Sequence, residues 1–154
     1  MTCEVRLGRV LGLPAIVGER LVGHVERAVP DREGRRLRGL VIRRGLGSAR
    51  WAGSENVGVL GDVSVVLTQP PDRPPKDAEF SLKTVKDESG LTLGWVTDLW
   101  LSPESLAITA LEVTMGLIED LRGGRLRVSD WTIQPGEDGT AQVLIPRSTW
   151  EVIS

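Results

Sequence analysis

Two stretches of this chain repeat each other at a fixed distance, and that repeat limits its possible folds more than any other feature. Leu21-Val-Gly-His-Val25 lines up with Thr92-Leu-Gly-Trp-Val96, so that Gly23 matches Gly94 and Val25 matches Val96 at an offset of 71. The alignment continues without a gap through Leu37 and Ile108, Leu40 and Leu111, Ile42 and Val113, and Gly45 and Gly116. A four-residue insertion then moves the expected offset to 75, pairing Ser54 with Ser129, Glu55 with Asp130 and Gly61 with Gly136. Constant spacing of this kind implies a duplicated unit. Between the copies, Gln69-Pro-Pro-Asp-Arg-Pro-Pro75 places four prolines in seven residues. That composition fixes φ and removes backbone donors, so the segment reads as a stiff linker; Pro71-Asp-Arg-Pro74 also fits a proline-rich ligand pattern. The expected organisation is therefore a first copy over 1–69, a linker over 70–75 and a second copy over 76–154.

Within each copy the apolar segments are short, rich in Val, Leu and Ile, and separated by turn chemistry about every ten residues, which predicts an all-β unit of about six strands. Leu7 to Val17 leads into a turn at Gly18-Glu19, matched by Phe80 to Lys86 and the turn Asp87-Glu-Ser-Gly90. Val22 to Val29 is closed by Pro30-Asp-Arg-Glu-Gly34, and its match, Leu93 to Leu101, by Ser102-Pro-Glu-Ser105. Leu37 to Arg44 matches Ile108 to Met115, and Val63 to Leu67 matches Ala141 to Ile145. In the Leu37 pair the alternation places Leu40, Ile42, Leu111 and Val113 toward a core, and Val41, Arg43, Glu112 and Thr114 toward solvent. Little helix is expected: one turn at Ser102 to Ala107 and a short helix over Met115 to Leu121 are the candidates. A unit of this size buries only roughly 60% of its unfolded surface, so packing between the copies, or homodimerisation, adds needed stability.

The segments Leu21-Val-Gly-His-Val-Glu-Arg-Ala-Val-Pro-Asp31 and Arg36-Leu-Arg-Gly-Leu-Val-Ile42, with Leu93-Gly-Trp-Val-Thr-Asp-Leu-Trp-Leu-Ser-Pro103 and Ile108-Thr-Ala-Leu-Glu-Val113, resemble the strand, turn and strand of the PRC-barrel family. That family includes the cytoplasmic domain of the photosynthetic reaction-centre H subunit and the carboxyl-terminal domain of a ribosome-maturation factor. With the duplication, the resemblance spans almost the whole chain. Copy one departs from it at Arg27, where copy two keeps Asp98, and at Pro30. The resemblance implies two tandem small PRC-type β-barrels, no catalytic residues to carry over, an adaptor or assembly role, and two barrels packed about a pseudo-two-fold axis.

Composition narrows the functional classes further. Apolar runs such as Val63 to Leu67 are far shorter than the roughly 20 residues of a membrane helix. The amino-terminal residues lack an apolar signal core, and a cytoplasmic location is expected. One cysteine, Cys3, and one histidine, His24, leave no pair for a disulfide and too few ligands for zinc, so neither metal nor cofactor is expected. The same scarcity argues against nucleophilic catalysis. The acid pairs Glu119-Asp120 and Glu137-Asp138 lie beside glycine turns and read as solvated loops, although an acid-only hydrolase is a formal rival. Gly123-Gly124 and Gly45-Leu-Gly47 lack the context of a phosphate loop.

Charge and aromatic content supply the candidate partner-binding residues. Residues 1–69 carry a net +4 and residues 76–154 a net −6, which favours attraction between the copies or a partner that reads one of them. Arg35, Arg36 and Arg38, with Arg43 and Arg44 on the same arm, suit a polyanion such as RNA or the ribosome. They equally suit solvated protection of an edge strand. Five tryptophans stand against one phenylalanine and no tyrosine. Trp95 and Trp100 are an odd number of residues apart, so a bulge-free strand turns them to opposite faces and leaves one outside its own core. That ring is a candidate contact for the other copy or for a protein partner. Trp51, Trp131 and Trp150 are expected to close barrel ends. The leading expectation is a non-catalytic adaptor that binds another protein; its rivals are an RNA- or ribosome-associated factor and a peripheral membrane or photosynthetic module.

Overall fold

A computed structural model describes residues 3–115, 125–135, 140–146 and 150–153. The chain is mostly β and forms two sheets. The first contains β2 (Pro14–Val17), β3 (Arg20–Pro30), β4 (Leu37–Arg43), β5 (Arg50–Gly53), β6 (Val57–Leu60) and β7 (Val65–Leu67), in the order β5-β4-β3-β2-β7-β6. The second contains β8 (Ser81–Lys86), β9 (Thr92–Leu101), β10 (Ile108–Met115), β11 (Arg125–Val128), β12 (Thr132–Pro135) and β13 (Thr140–Leu144). Its order β12-β13-β8-β9-β10-β11 is the same topology, with β14 (Trp150–Ile153) added beyond β11. Among the described residues each copy has one parallel pair, β2 with β7 and β8 with β13, among antiparallel neighbours. In hydrogen-bonded order both sheets are open-ended.

The duplication extends to irregularities. Val22 and Glu26 are the unpaired residues at register shifts along β3, and Leu93 and Thr97, at the offset of 71, are their counterparts along β9. A third shift near the strand end pairs Val29 with Gly39 and Pro30 with Leu37, as it pairs Trp100 with Ala110 and Leu101 with Ile108. These bulges sharpen the twist of the long central strands. Gly23 and Gly94 are required where the strands approach: a Cβ on Gly94 would overlap the Thr114 carbonyl oxygen, and one on Gly23 would lie 2.8 Å from that of Arg43.

Three sequence expectations need correction. Leu7 to Val17 is not one strand: β1 (Val5–Arg6) is followed by the helical turn α1 (Leu7–Val10), and Gly12 at φ +89° turns the chain into β2. The offset after the insertion is not a uniform 75, because Leu40 opposite Ala52 corresponds to Leu111 opposite Val128, a step of 76. Loops of different length shift each flanking strand separately. Val41 and Glu112 do not face solvent; each is 3% exposed, because chain from the opposite copy covers that face. Ser102 to Ala107 forms a hydrogen-bonded turn, with the Leu106 N–H donating to the Ser102 carbonyl at 2.8 Å. The helix expected over Met115 to Leu121 lies outside the described residues beyond Met115, which ends β10.

The copies exchange their leading segments. β1 pairs with β9 of the second copy, Arg6 opposite Trp100, while the Ala78 carbonyl accepts a 2.6 Å hydrogen bond from Arg27 of the first copy. At the centre, Arg36 and Ala107, which are repeat equivalents, form an antiparallel bridge. Leu37 N–H donates to the Leu106 carbonyl at 2.9 Å and Ile108 N–H to the Arg35 carbonyl at 2.8 Å, each bond being the repeat image of the other. The contact is thus locally two-fold. Buried side chains of both copies, including Val29, Leu37, Leu101 and Ile108, join one continuous core.

Candidate protein-binding surface

The opposite charges of the copies meet at the seam between them. Among the described residues six ion pairs cross it, and five of these set an arginine of the first copy on an acid of the second: Arg6 on Asp98 and Glu112, Arg32 and Arg38 on Asp77, and Arg35 on Asp130. Arg127 with Glu4, at 2.8 Å, runs the other way. The Arg35, Arg36 and Arg38 run is therefore largely engaged. Arg35 lies 4.3 Å over the Trp131 ring and donates to the Trp131 carbonyl. Both Nε and Nη2 of Arg36 donate to the Ser105 carbonyl, and Arg38 holds Asp77 at 2.6 Å. Arg43 is turned away to Glu26 and the Gly47 carbonyl, and Arg44 is exposed beyond the end of β4. The five arginines do not form one surface.

Two seam carboxylates are held below their ordinary range. The Arg38 and then the Arg32 hydrogen bonds lower Asp77 from 3.8, and the Arg127 hydrogen bond lowers Glu4 from 4.5. Groups depressed by folding contribute stability that is complete above their unfolded values and is lost as pH falls through the folded ones. The denaturation midpoint is therefore expected to be level above about pH 5 and to fall steadily below about pH 4. Asp77→Asn should flatten part of that acid slope; an unchanged slope would show that Asp77 is not linked to folding.

The tryptophans divide by environment. A bulge at Thr97 inserts one residue between Trp95 and Trp100, so both occupy the outer face of β9, contrary to the bulge-free expectation. Trp100 lies beneath Arg6 and Arg127, at 4.8 and 4.6 Å from ring centroid to guanidinium, and belongs to the seam. Trp95, flanked by Thr84 and Thr114, remains 50% exposed. Trp131 is a seam anchor and is 1% exposed, whereas Trp51 pairs through its backbone with Asp72 of the proline-rich segment. The Trp150 side chain lies outside the described residues.

The open surface that sequence reasoning missed lies on the first sheet. Leu21, Ile16, Val66 and Val59 are successive register partners across β3, β2, β7 and β6, so they project from one face in a row about 14 Å long at the usual strand spacing. Leu21, Val66 and Val59 are 46%, 36% and 55% exposed, while Ala15, Val65 and Leu60, one residue along, are buried. The corresponding row of the second sheet is Thr92, Lys86, Leu144 and Thr132. The same position in one topology is thus aliphatic in one copy and mainly polar in the other. Only sheet order could have revealed the row, because its members come from four strands that are not consecutive.

Among the described residues, no cluster of His, Cys, Asp and Glu is placed to hold a metal, and no helix is long and apolar enough to cross a membrane. Cys3 and His24 are both exposed. A scan of family models finds no match to this chain, and a search of curated proteins finds none either.

Proposed function

We propose that this chain is a non-catalytic tandem PRC-barrel protein that serves as an adaptor or assembly module and binds another protein through the outer face of its first sheet. The observation that carries the reading is the aliphatic row Leu21, Ile16, Val66 and Val59, in which Leu21, Val66 and Val59 are exposed and Ile16 is half-buried. An apolar patch held on rigid strands gains binding free energy by leaving water, and polar surroundings set register. Support for the family comes from two sheets with one order and bulges at equivalent positions. The inward use of Arg35, Arg36 and Arg38 favours a protein partner over RNA, since guanidinium groups already paired to carboxylates or carbonyls are poorly placed for phosphates.

The test is affinity capture from lysate of the source organism at low and high salt, with nuclease treatment, comparing the native chain with Leu21→Glu/Val66→Glu. Both residues are partly exposed, so the double variant should lose no more than about 1 kcal/mol of stability. A stoichiometric protein retained at high salt and lost with the double variant is the expected result. Capture that is insensitive to the variant, or ribosomal material lost with salt or nuclease, would overturn the reading.

A further inference from the structure

A cleft of about 880 Å³ lies between the outer face of the first sheet and the chain leading into the second copy. Its charged walls are Glu26, Arg27, Arg43, Lys76, Glu79 and Lys83, over an apolar floor that includes Val41. The duplication explains why the space is open. Across the seam, Arg6 fills the equivalent position, reaching Asp98 at 3.1 Å and Glu112 at 2.5 Å. At the offset of 71 those three residues correspond to Asp77, Arg27 and Val41. Asp77, however, turns to Arg32 and Arg38. The first copy thus keeps the groove but not the side chain that occupies it in the second, and its lining is cationic where the second copy's is acidic.

We propose that this cleft receives an extended, acidic peptide segment of the protein partner; the proposal rests on the protein-binding reading above and deepens it. Among the described residues the side chains of Lys76 and Lys83 make no ion pair or hydrogen bond, so their ammonium groups are available to a carboxylate. Arg27 and Arg43 are already oriented by the Ala78 carbonyl and by Glu26. Glu79, and the second oxygen of Glu26, can accept backbone N–H donors from a peptide, whereas they repel a phosphate chain. The chain already displays this binding mode, since Arg6 enters the companion groove from a strand paired with β9. Arg43 of the cleft wall is the register partner of His24, and His24 pairs in turn with Pro14 of β2, the strand that carries Ile16 of the aliphatic row, so one extended segment can engage both.

The experiment uses the full chain and fluorescence anisotropy with three labelled probes: a short peptide of alternating Val and Glu, the same peptide with Lys for Glu, and a short single-stranded RNA. The Glu peptide is expected to bind in preference to the other two. Lys76→Glu/Lys83→Glu should weaken it at least about tenfold, and Arg9→Glu, outside the cleft, less than about twofold. Circular dichroism checks that each variant is folded. Glu-peptide binding unchanged by the double reversal, or tighter binding of the RNA, would overturn the proposal. If the cleft fails this test while Leu21→Glu/Val66→Glu still abolishes partner capture, only the peptide site falls; if neither surface matters, the adaptor reading falls with it.

Discussion

Replacing Trp131 by Ala is expected to lower the unfolding free energy by about 4 kcal/mol, the largest effect of any single side chain at the seam. The ring is 1% exposed, and its Nε1–H donates to the Gly34 carbonyl of the first copy at 3.1 Å. Gly34 is packed so closely that a Cβ there would meet Ile133 at 2.9 Å and the Trp131 Nε1 at 3.3 Å, and Arg35 covers the ring from outside. Truncation therefore leaves a cavity between the copies, an unpaired carbonyl and an arginine without its platform. Trp131→Phe retains most of the volume but not the donor, and should cost about 1–3 kcal/mol. Urea denaturation of the three proteins checks both numbers. A loss below about 1 kcal/mol for the Ala variant would mean that the turn containing Gly34 does not pack on the second copy.

Arg6→Met should cost about 2–3 kcal/mol, because it strands a carboxylate in the interior. Glu112 is 3% exposed and takes its closest charge, at 2.5 Å, from Arg6; Arg125 is 3.8 Å away and Thr97 donates at 3.2 Å. The estimate lies below the roughly 3–5 kcal/mol of fully buried pairs because the Arg6 side chain is 38% exposed and Arg125 partly compensates. Removing both charges in Arg6→Met/Glu112→Met is expected to be less damaging than removing Arg6 alone. Apolar side chains carry no desolvation penalty, and Glu112 lies between strands whose opposite face is the core. A double variant as unstable as the sum of the single ones would show that the two residues act independently. Arg6 is also the residue whose counterpart leaves the first-copy cleft open, so the same cycle measures what the groove gains when it is filled.

Charge explains why two similar units avoid becoming interchangeable. Arg6 faces acids in the second copy, and Asp77, at the equivalent position, faces Arg32 and Arg38 in the first. Swapping the leading segments would bring Arg6 toward arginines and Asp77 toward acids, a like-charge penalty that specifies the pairing as it stands.

The amino-acid sequence alone determined the duplication, the β character, the proline-rich passage between copies and most strand positions. Glycine spacing, period-2 alternation and turn residues are local properties that survive without knowledge of partners. It did not reveal which outer faces would be covered. Glu112 and Val41 read as solvent-facing because alternation assigns one buried face per strand, and only the tertiary structure brings chain from the opposite copy over the other. Trp95 and Trp100 share a face because of a bulge at Thr97, which exists only as a mismatch between two strands. The arginine run resembled an open polyanion site because its partners lie far away in sequence, Arg36 and Ser105 being 69 residues apart and Arg35 and Asp130 95 apart. The aliphatic row and the cleft likewise emerge from sheet order and from the different directions taken by Arg6 and Asp77. Local pattern decides which segments become strands; long-range register and charge pairing decide which of their faces meet water.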